Sequence, residues 1–579
     1  MMFDMPMLVG ENAVVVPAGY VTRRRILLKP EFSHAELQLI NAPEGVWLQG
    51  DMLIVSSQVE RSCFFGVQAK KGGDSAELEI ELRKDPQLRD VPPAPLEKDG
   101  WRLYYHDEFD GETLDPEFWC GYYLRGWTTD AQAQAQYEIR DGYLALGCWE
   151  DRGPWCDQDG QHRVSSVQTF ERKHLHRFGR VTGARDIGDF DGLCTKYGYY
   201  EIRARFPDTG DGSHFAWWMI GVQDDQHDSA ELGGEAYPAG QYSNQTAEYD
   251  IIEQTLDNRS KDFDMNAWRP VIHPNGSKDL TYLWVPETDI QKSASGEFHR
   301  YGFEWDEMGT KFYLDGVLVQ ETDRSPNYRM MTLLSVYGGC RSFACGMGPD
   351  RGIYPKEALI DYFRIYKRDE QARPCSVAWE RYGMPEDIRI PDEEKTECAL
   401  KAVLLDQFDH PIEGRLQWRL STDVSERDPL SKEEMQRNGV TIDAETGAIT
   451  VMPWAERMDL FVTAYYSNTI LNVKHMKLSD DSPRPVHFSF EKKKYVLHPA
   501  QPVRLEAKLF DQYGAVVPAQ VHYQVSWDLT GRAMRMDTPL IFGEDGLLYA
   551  GDAPRAGKYV VTAHSFFGVC ASIVEIIES

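Results

Sequence analysis

The sequence predicts an all-β protein assembled from several sandwiches, and three observations carry that prediction. Short runs alternate apolar and polar residues with period two, as where Tyr200, Ile202, Ala204 and Phe206 interleave with Glu201, Arg203 and Arg205. Convincing amphipathic helices are scarce, and Gly and Pro clusters separate the runs, the pattern of antiparallel sandwiches. At 579 residues the chain is too long for one core, so roughly three to five domains are expected.

Taken in order, residues 1–96 hold Ala35-Glu-Leu-Gln-Leu-Ile-Asn-Ala-Pro-Glu-Gly-Val46 and then Gly50-Asp-Met-Leu-Ile-Val55, and read as an N-terminal sandwich. Pro92, Pro93 and Pro95 then mark a stiff connection into residues 97–370. Within that segment Lys311 to Val319 is an aromatic and β-branched run centred on Asp315-Gly316, a hairpin signal. Residues 371–395 are polar, carry Pro374, Pro385 and Pro391, and read as a linker. The last third contains an internal repeat. Leu404-Leu-Asp-Gln-Phe-Asp-His-Pro-Ile412 matches Leu509-Phe-Asp-Gln-Tyr-Gly-Ala-Val-Val517, and Val462-Thr-Ala464 matches Val561-Thr-Ala563. Two immunoglobulin-like sandwiches are therefore expected, at residues 396–479 and 480–579, with residues 1–96 as a more distant copy. With no evident aromatic strip of their own, they read as spacers.

The chemistry concentrates in Ala247-Glu-Tyr-Asp-Ile-Ile-Glu-Gln-Thr255. Glu248 and Asp250 are two apart, so on a strand both leave one face. Glu253 has the wrong parity, and one extra residue at Ile251-Ile252, a β-bulge, would turn it onto that face. Three carboxylates held together drive their pKa values apart, so one stays ionised while another keeps its proton. Glycoside hydrolysis needs that pair of states.

Six ordered blocks around the acids resemble glycoside hydrolase family 16, the laminarinase-like β-glucanase group, across residues 98–368. They begin at Trp101-Arg-Leu-Tyr-Tyr-His-Asp-Glu-Phe-Asp-Gly111, Tyr197-Gly-Tyr-Tyr-Glu-Ile-Arg-Ala-Arg-Phe-Pro207 and His214-Phe-Ala-Trp-Trp-Met-Ile-Gly221. They close with Phe298 to Trp305, Lys311 to Gly316 and Leu359 to Tyr366. The resemblance implies a concanavalin-like β-jelly roll with a concave cleft for polysaccharide. It implies Glu248 as nucleophile, Glu253 as general acid/base and Asp250 as the hydrogen-bonding acid between them. Trp218 aligns with a cleft tryptophan, while Trp217 has the opposite parity and reads as core. Arg203 on the polar face of its strand, His273 near the catalytic strand and Trp127 at the donor-side loop are further substrate-binding candidates. Relatives carry a structural calcium, for which the matching acids are Glu108 and Asp361; no cofactor is expected for catalysis. The segment 222–246 and the insert at 156–194 are longer than usual, and Ser335 replaces a common asparagine. These departures put the β-1,3-glucan default in question, since long loops set selectivity.

A net charge of −30 argues against a nucleic-acid partner and suits a protein handling a neutral polymer. No apolar run approaches a membrane span. The first residues lack the basic and apolar regions of a signal peptide, although the family's habit is extracellular or at the cell surface. Ten dispersed cysteines show no zinc spacing, and the pairs Cys148/Cys156 and Cys340/Cys345 read as free thiols. His174 and His176 read as a solvated loop. The expectation is a monomeric, retaining, endo-acting hydrolase of a β-1,3- or mixed-linkage glucan. A β-galactan hydrolase or transglycosylase is the alternative, and a non-catalytic carbohydrate-binding protein is the reading from a different class.

Overall fold

The computed structural model describes residues 13–577 apart from internal stretches, the longest of them 223–247, 280–297 and 339–353. Its regular elements among the described residues are almost all strands, with two short α-helices, Asp130–Ala133 and Lys432–Arg437. Two sheets face each other in the central region. One has eight strands, running from Val317–Thr322 through Gly198–Arg205 and Lys356–Arg368 to Tyr137–Arg140, with Trp101–Asp107 beside Lys356–Arg368. The other has five, in the order Arg163–Gln168, Met330–Gly338, Ser213–Gly221, Glu248–Leu256 and Lys261–Trp268.

Period-two alternation fills the space between the sheets. Tyr200, Ile202, Ala204 and Phe206 meet Phe215, Trp217 and Met219 in one core, so Trp217 is core as its parity predicts. The hairpin predicted at Asp315-Gly316 forms between Gly309–Leu314 and Val317–Thr322. Both turn residues have positive φ, 54° and 84°, the type I′ geometry that matches strand twist.

The connection at residues 91–95 is extended and docked on the eight-stranded sheet: Val91 donates to the Phe298 carbonyl and Ala94 to the Tyr362 hydroxyl. Residues 371–395 are not a linker. Pro374–Trp379 pairs with Ala402–Asp406 and Asp387–Arg389 pairs in parallel with Ile470–Ser479, while Val377, Trp379 and Ile388 enter the next core. The prolines sit where strands tolerate them: Pro374 opens a strand, and Pro385 and Pro391 lie between or beyond strands. Their presence hid the alternation of Cys375, Val377 and Trp379.

The two C-terminal units share one strand plan. Each has a four-stranded sheet whose first strand runs parallel to its last, and each has a separate three-stranded sheet. The repeated Asp-Gln pair explains itself in the structure. Asp406 accepts from the backbone of Phe408 and His410, and Asp511 accepts from Tyr513 and Ala515, each closing its own turn. Gln407 accepts from the Arg373 amide and Gln512 from that of Arg484, each tying down the segment entering its unit.

The turn position where the second unit has Gly514, φ 78°, is Asp409 in the first, φ 59°. A Cβ at Gly514 would lie 2.6 Å from the Gly383 carbonyl oxygen, so glycine is required there. Asp409 accepts the left-handed conformation, and its carboxylate reaches the central sandwich. It takes the Tyr104 hydroxyl at 2.8 Å and the Thr195 hydroxyl, with Arg329 at 3.4 Å. The second unit is tied independently, Lys558 to Asp115 at 2.6 Å and Lys494 to Glu117 at 2.8 Å. The C-terminal units are thus packed on the sandwich, whereas their sequence reads as free spacers. Asp409→Gly should relieve the strained φ yet loosen the first unit, losing about 1.5–3 kcal/mol of docking. Limited proteolysis between residues 370 and 410 should then run faster; an unchanged rate would mean the aspartate holds nothing.

Candidate active site

The Ser213–Gly221 strand pairs Ile220 with Glu248, Trp218 with Asp250, Trp217 with Ile252 and Ala216 with Glu253. One residue, Ile251, has no opposite number, and the register with Lys261–Trp268 also shifts between Asp250 and Glu253. The bulge therefore falls within the pair that parity requires. Cross-strand partners share a face, so Glu248, Asp250 and Glu253 leave the sheet with Ala216, Trp218 and Ile220. On the opposite face, Tyr249, Ile251 and Ile252 enter the core between the sheets.

Electrostatics on this face follows from crowding. Burial first, then the charges of Asp250 and Glu253 and a hydrogen bond with Asp250, hold the Glu248 carboxyl well above the usual carboxylate range. Tyr123 is pushed above the usual phenol range by burial, with Tyr337 and Glu248 adding to it. His214, buried, puts Nε2 3.3 Å from the Glu253 carboxylate. The His214 ring lies 5.1 Å from that of Tyr337, which stacks on His162 at 5.4 Å.

Trp218 shares the acids' face but is only 3% exposed, clustered with Tyr123, Trp127 and Trp155. It is a packed wall here rather than an open platform. Its indole Nε1 donates to the Ser335 hydroxyl at 3.1 Å, and Ser335 bonds the Ser166 hydroxyl at 2.7 Å. The serine that departs from the family pattern therefore anchors the tryptophan. Trp127 lies in the same cluster, its Nε1 donating to the Leu175 carbonyl at 2.8 Å.

Arg203 is not with the acids. It belongs to the eight-stranded sheet, where it donates to the Val91 carbonyl and pairs with Asp361 at 2.8 Å, its guanidinium over the Phe298 ring. Parity correctly gave it the polar face, but that face is the outer one, covered by the residue 91–95 connection. Glu108 accepts from Arg364 through both oxygens, at 2.8 and 2.7 Å, and Arg364 also donates to the Ala94 carbonyl. Guanidinium groups thus bridge the carboxylates and carbonyls where a cation would bind, so Glu108 and Asp361 do not fit a calcium site. Among the described residues no group of three His, Cys, Asp or Glu could hold a metal ion. Cys148 and Cys156 are free and buried. His273, His174, His176, Cys340 and Cys345 lie outside the described residues.

His214, Tyr123 and Tyr337 escaped the sequence reading. His214 had a usable signal, since it lies four residues before Trp218 on one strand and so shares its face. Tyr123 and Tyr337 come from separate segments, and spacing along the chain cannot bring them together.

The family model for glycosyl hydrolases family 16 matches residues 194–340, which span Trp218, the three acids and Ser335. A glucan endo-1,3-beta-glucosidase A1 from Niallia circulans is 24% identical over 325 residues, 51% of this chain and 40% of that protein. A kappa-carrageenase from Pseudoalteromonas carrageenovora is 21% identical over 267 residues, 42% of this chain and 64% of that one. The matches thus span 40% and 64% of these relatives' lengths. Among solved structures, a GlcNAcα1-4Gal-releasing endo-β-galactosidase from Clostridium perfringens covers 84% of this chain and 100% of its own, at 23% identity and TM-score 0.41. The laminarinase catalytic domain from Thermotoga maritima covers 47% of this chain and 100% of its own, at 22% identity and TM-score 0.32.

Proposed function

The chain belongs to glycosyl hydrolases family 16 through residues 194–340, and on that premise we propose that it is a retaining, endo-acting hydrolase of a β-linked polysaccharide. The single observation that carries the reading is the bulge that turns Glu253 onto the face of Glu248 and Asp250. With the bulge absorbed, the two glutamates are four strand steps apart, about 13 Å between Cα atoms. Their longer arms can lean together over the shorter Asp250. Retention requires carboxyls about 5–5.5 Å apart.

In the first step a Glu248 oxygen attacks the anomeric carbon, the glycosidic C–O bond breaks, and the Glu253 proton passes to the leaving oxygen. In the second, ionised Glu253 takes a proton from water. The water oxygen then bonds to the anomeric carbon and Glu248 departs as carboxylate. Glu248 must be ionised to attack, although its surroundings raise its pKa. Asp250, hydrogen-bonded to Glu248, fixes the orientation of that carboxyl for the attack.

His214 is a positioning residue for Glu253 in this scheme. His214→Ala should lower kcat roughly 10- to 100-fold with little change in KM. His214→Gln keeps a donor near the same place and should recover part of that loss. Equal losses in both variants, or a loss confined to KM, would count against positioning.

β-1,3- or mixed-linkage glucan is the first substrate class, in line with what the Niallia circulans relative's name states. A β-galactan is the second, as the names of the kappa-carrageenase and the endo-β-galactosidase suggest. A panel of both classes, read by reducing ends released and by product length, tests the reading. Short oligosaccharides from one class support it, and no release from any β-glycan rejects it.

A further inference from the structure

A cavity lies away from the carboxylates, at the junction of the central sandwich with both C-terminal units, and its volume is about 730 Å³. That is within the size of small-ligand sites. Eight Arg or Lys side chains line it, against four Asp or Glu. In a chain of net charge −30, this lining has the opposite sign.

Some of these charges latch the modules together, but the carboxylates are oversubscribed. Asp130 takes Arg185, Arg532 at 3.0 Å and Arg125 at 4.0 Å. Asp189 takes Arg381 at 3.4 Å and Arg172 at 3.9 Å. Counting Glu171 with Arg125 and Asp191 with Arg172, five guanidinium groups share four carboxylates. Lys474, Lys477 and Arg484 line the cavity too, Lys477 beside Asp387 on the neighbouring strand. Burial and the charge of Glu386 push Asp387 up to about 6, which weakens its negative charge near neutrality. Burial above all, with Arg172 and Lys474 adding to it, pushes His487 down to about 4.

We propose that this junction is a binding site for an anionic glycan, one carrying sulfate esters or carboxylates, held by the arginines converging on Asp130 and Asp189. The glycan part rests on the hydrolase reading; the preference for anions rests on the side chains alone. Arginine forks match both oxyanion types. Because the lining draws on all three units, a bound chain would also staple them together.

The test is titration calorimetry on full-length Glu248→Gln protein, so that no ligand is consumed. The probes are a sulfated galactan hexasaccharide, an oligogalacturonide of the same length and a neutral galactan hexasaccharide. At least one anionic probe should bind, with an affinity that falls as salt is added, and the neutral probe should not. Which anionic probe binds separates sulfate from carboxylate. Arg532→Ser, whose side chain is 66% exposed, and Arg381→Ser should each weaken binding about tenfold or more while leaving circular dichroism unchanged. Absence of binding by both anionic probes, equal binding of the neutral one, or undiminished affinity in both serine variants would overturn the proposal. Hydrolysis is assayed separately, so failure of the hydrolase reading leaves this result standing.

Discussion

Glu248→Gln should abolish hydrolysis and also make the protein more stable. The amide keeps the shape of the carboxylate but cannot attack carbon, and loss of a nucleophile costs roughly 10⁴-fold or more in kcat. Stability moves the other way because the folded protein disfavours the ionised form of Glu248, through burial and the charges of Asp250 and Glu253. The sign follows from linkage: a carboxyl whose folded pKa is raised supports the fold below its unfolded pKa, and that support is lost as pH rises through the folded value. The gain from the substitution should therefore be near zero at about pH 4 and grow toward neutrality. Each kcal/mol relieved should raise the Tm of the central sandwich by roughly 2–4 °C. A variant that loses activity but is less stable at neutral pH would show that Glu248 is not crowded by its neighbours.

Glu253→Ala should behave differently, by a factor of about 10²–10⁴ on natural substrates. Substrates with good leaving groups need little protonation, so their first step should survive and glycosyl-enzyme should accumulate. Azide, small enough for the vacated space and needing no base, should then restore turnover and yield a β-glycosyl azide. Failure of azide to rescue would remove Glu253 from the acid/base role.

The parts of this molecule legible in its sequence are those set by strand parity. Parity gave the core face of residues 200–206, the separation of Trp217 from Trp218, the turn at Asp315-Gly316 and the bulge at Ile251-Ile252. Parity fails where another part of the chain decides what covers a face. Arg203 reads as a sugar ligand until residue Val91 and Asp361 are seen to occupy it. Glu108 and Asp361 read as metal ligands until two arginines from neighbouring strand positions fill the same place. Composition misled at residues 371–395, where prolines at strand margins gave two structural strands the look of a linker. The docking of the C-terminal units was illegible for a simpler reason. Tyr104 and Asp409 are separated by 305 residues, and Asp115 and Lys558 by 443, so nothing local couples them.

The central claim is that one bulged strand delivers nucleophile and acid/base to the same face, close enough for double displacement. Its most direct test is proton NMR of the first products, recorded before the anomers equilibrate. The geometry described here predicts an initial β-anomer, followed by slow growth of α. An initial α-anomer would mean a single displacement by water across a wider gap, and would contradict the pairing of Glu248 with Glu253.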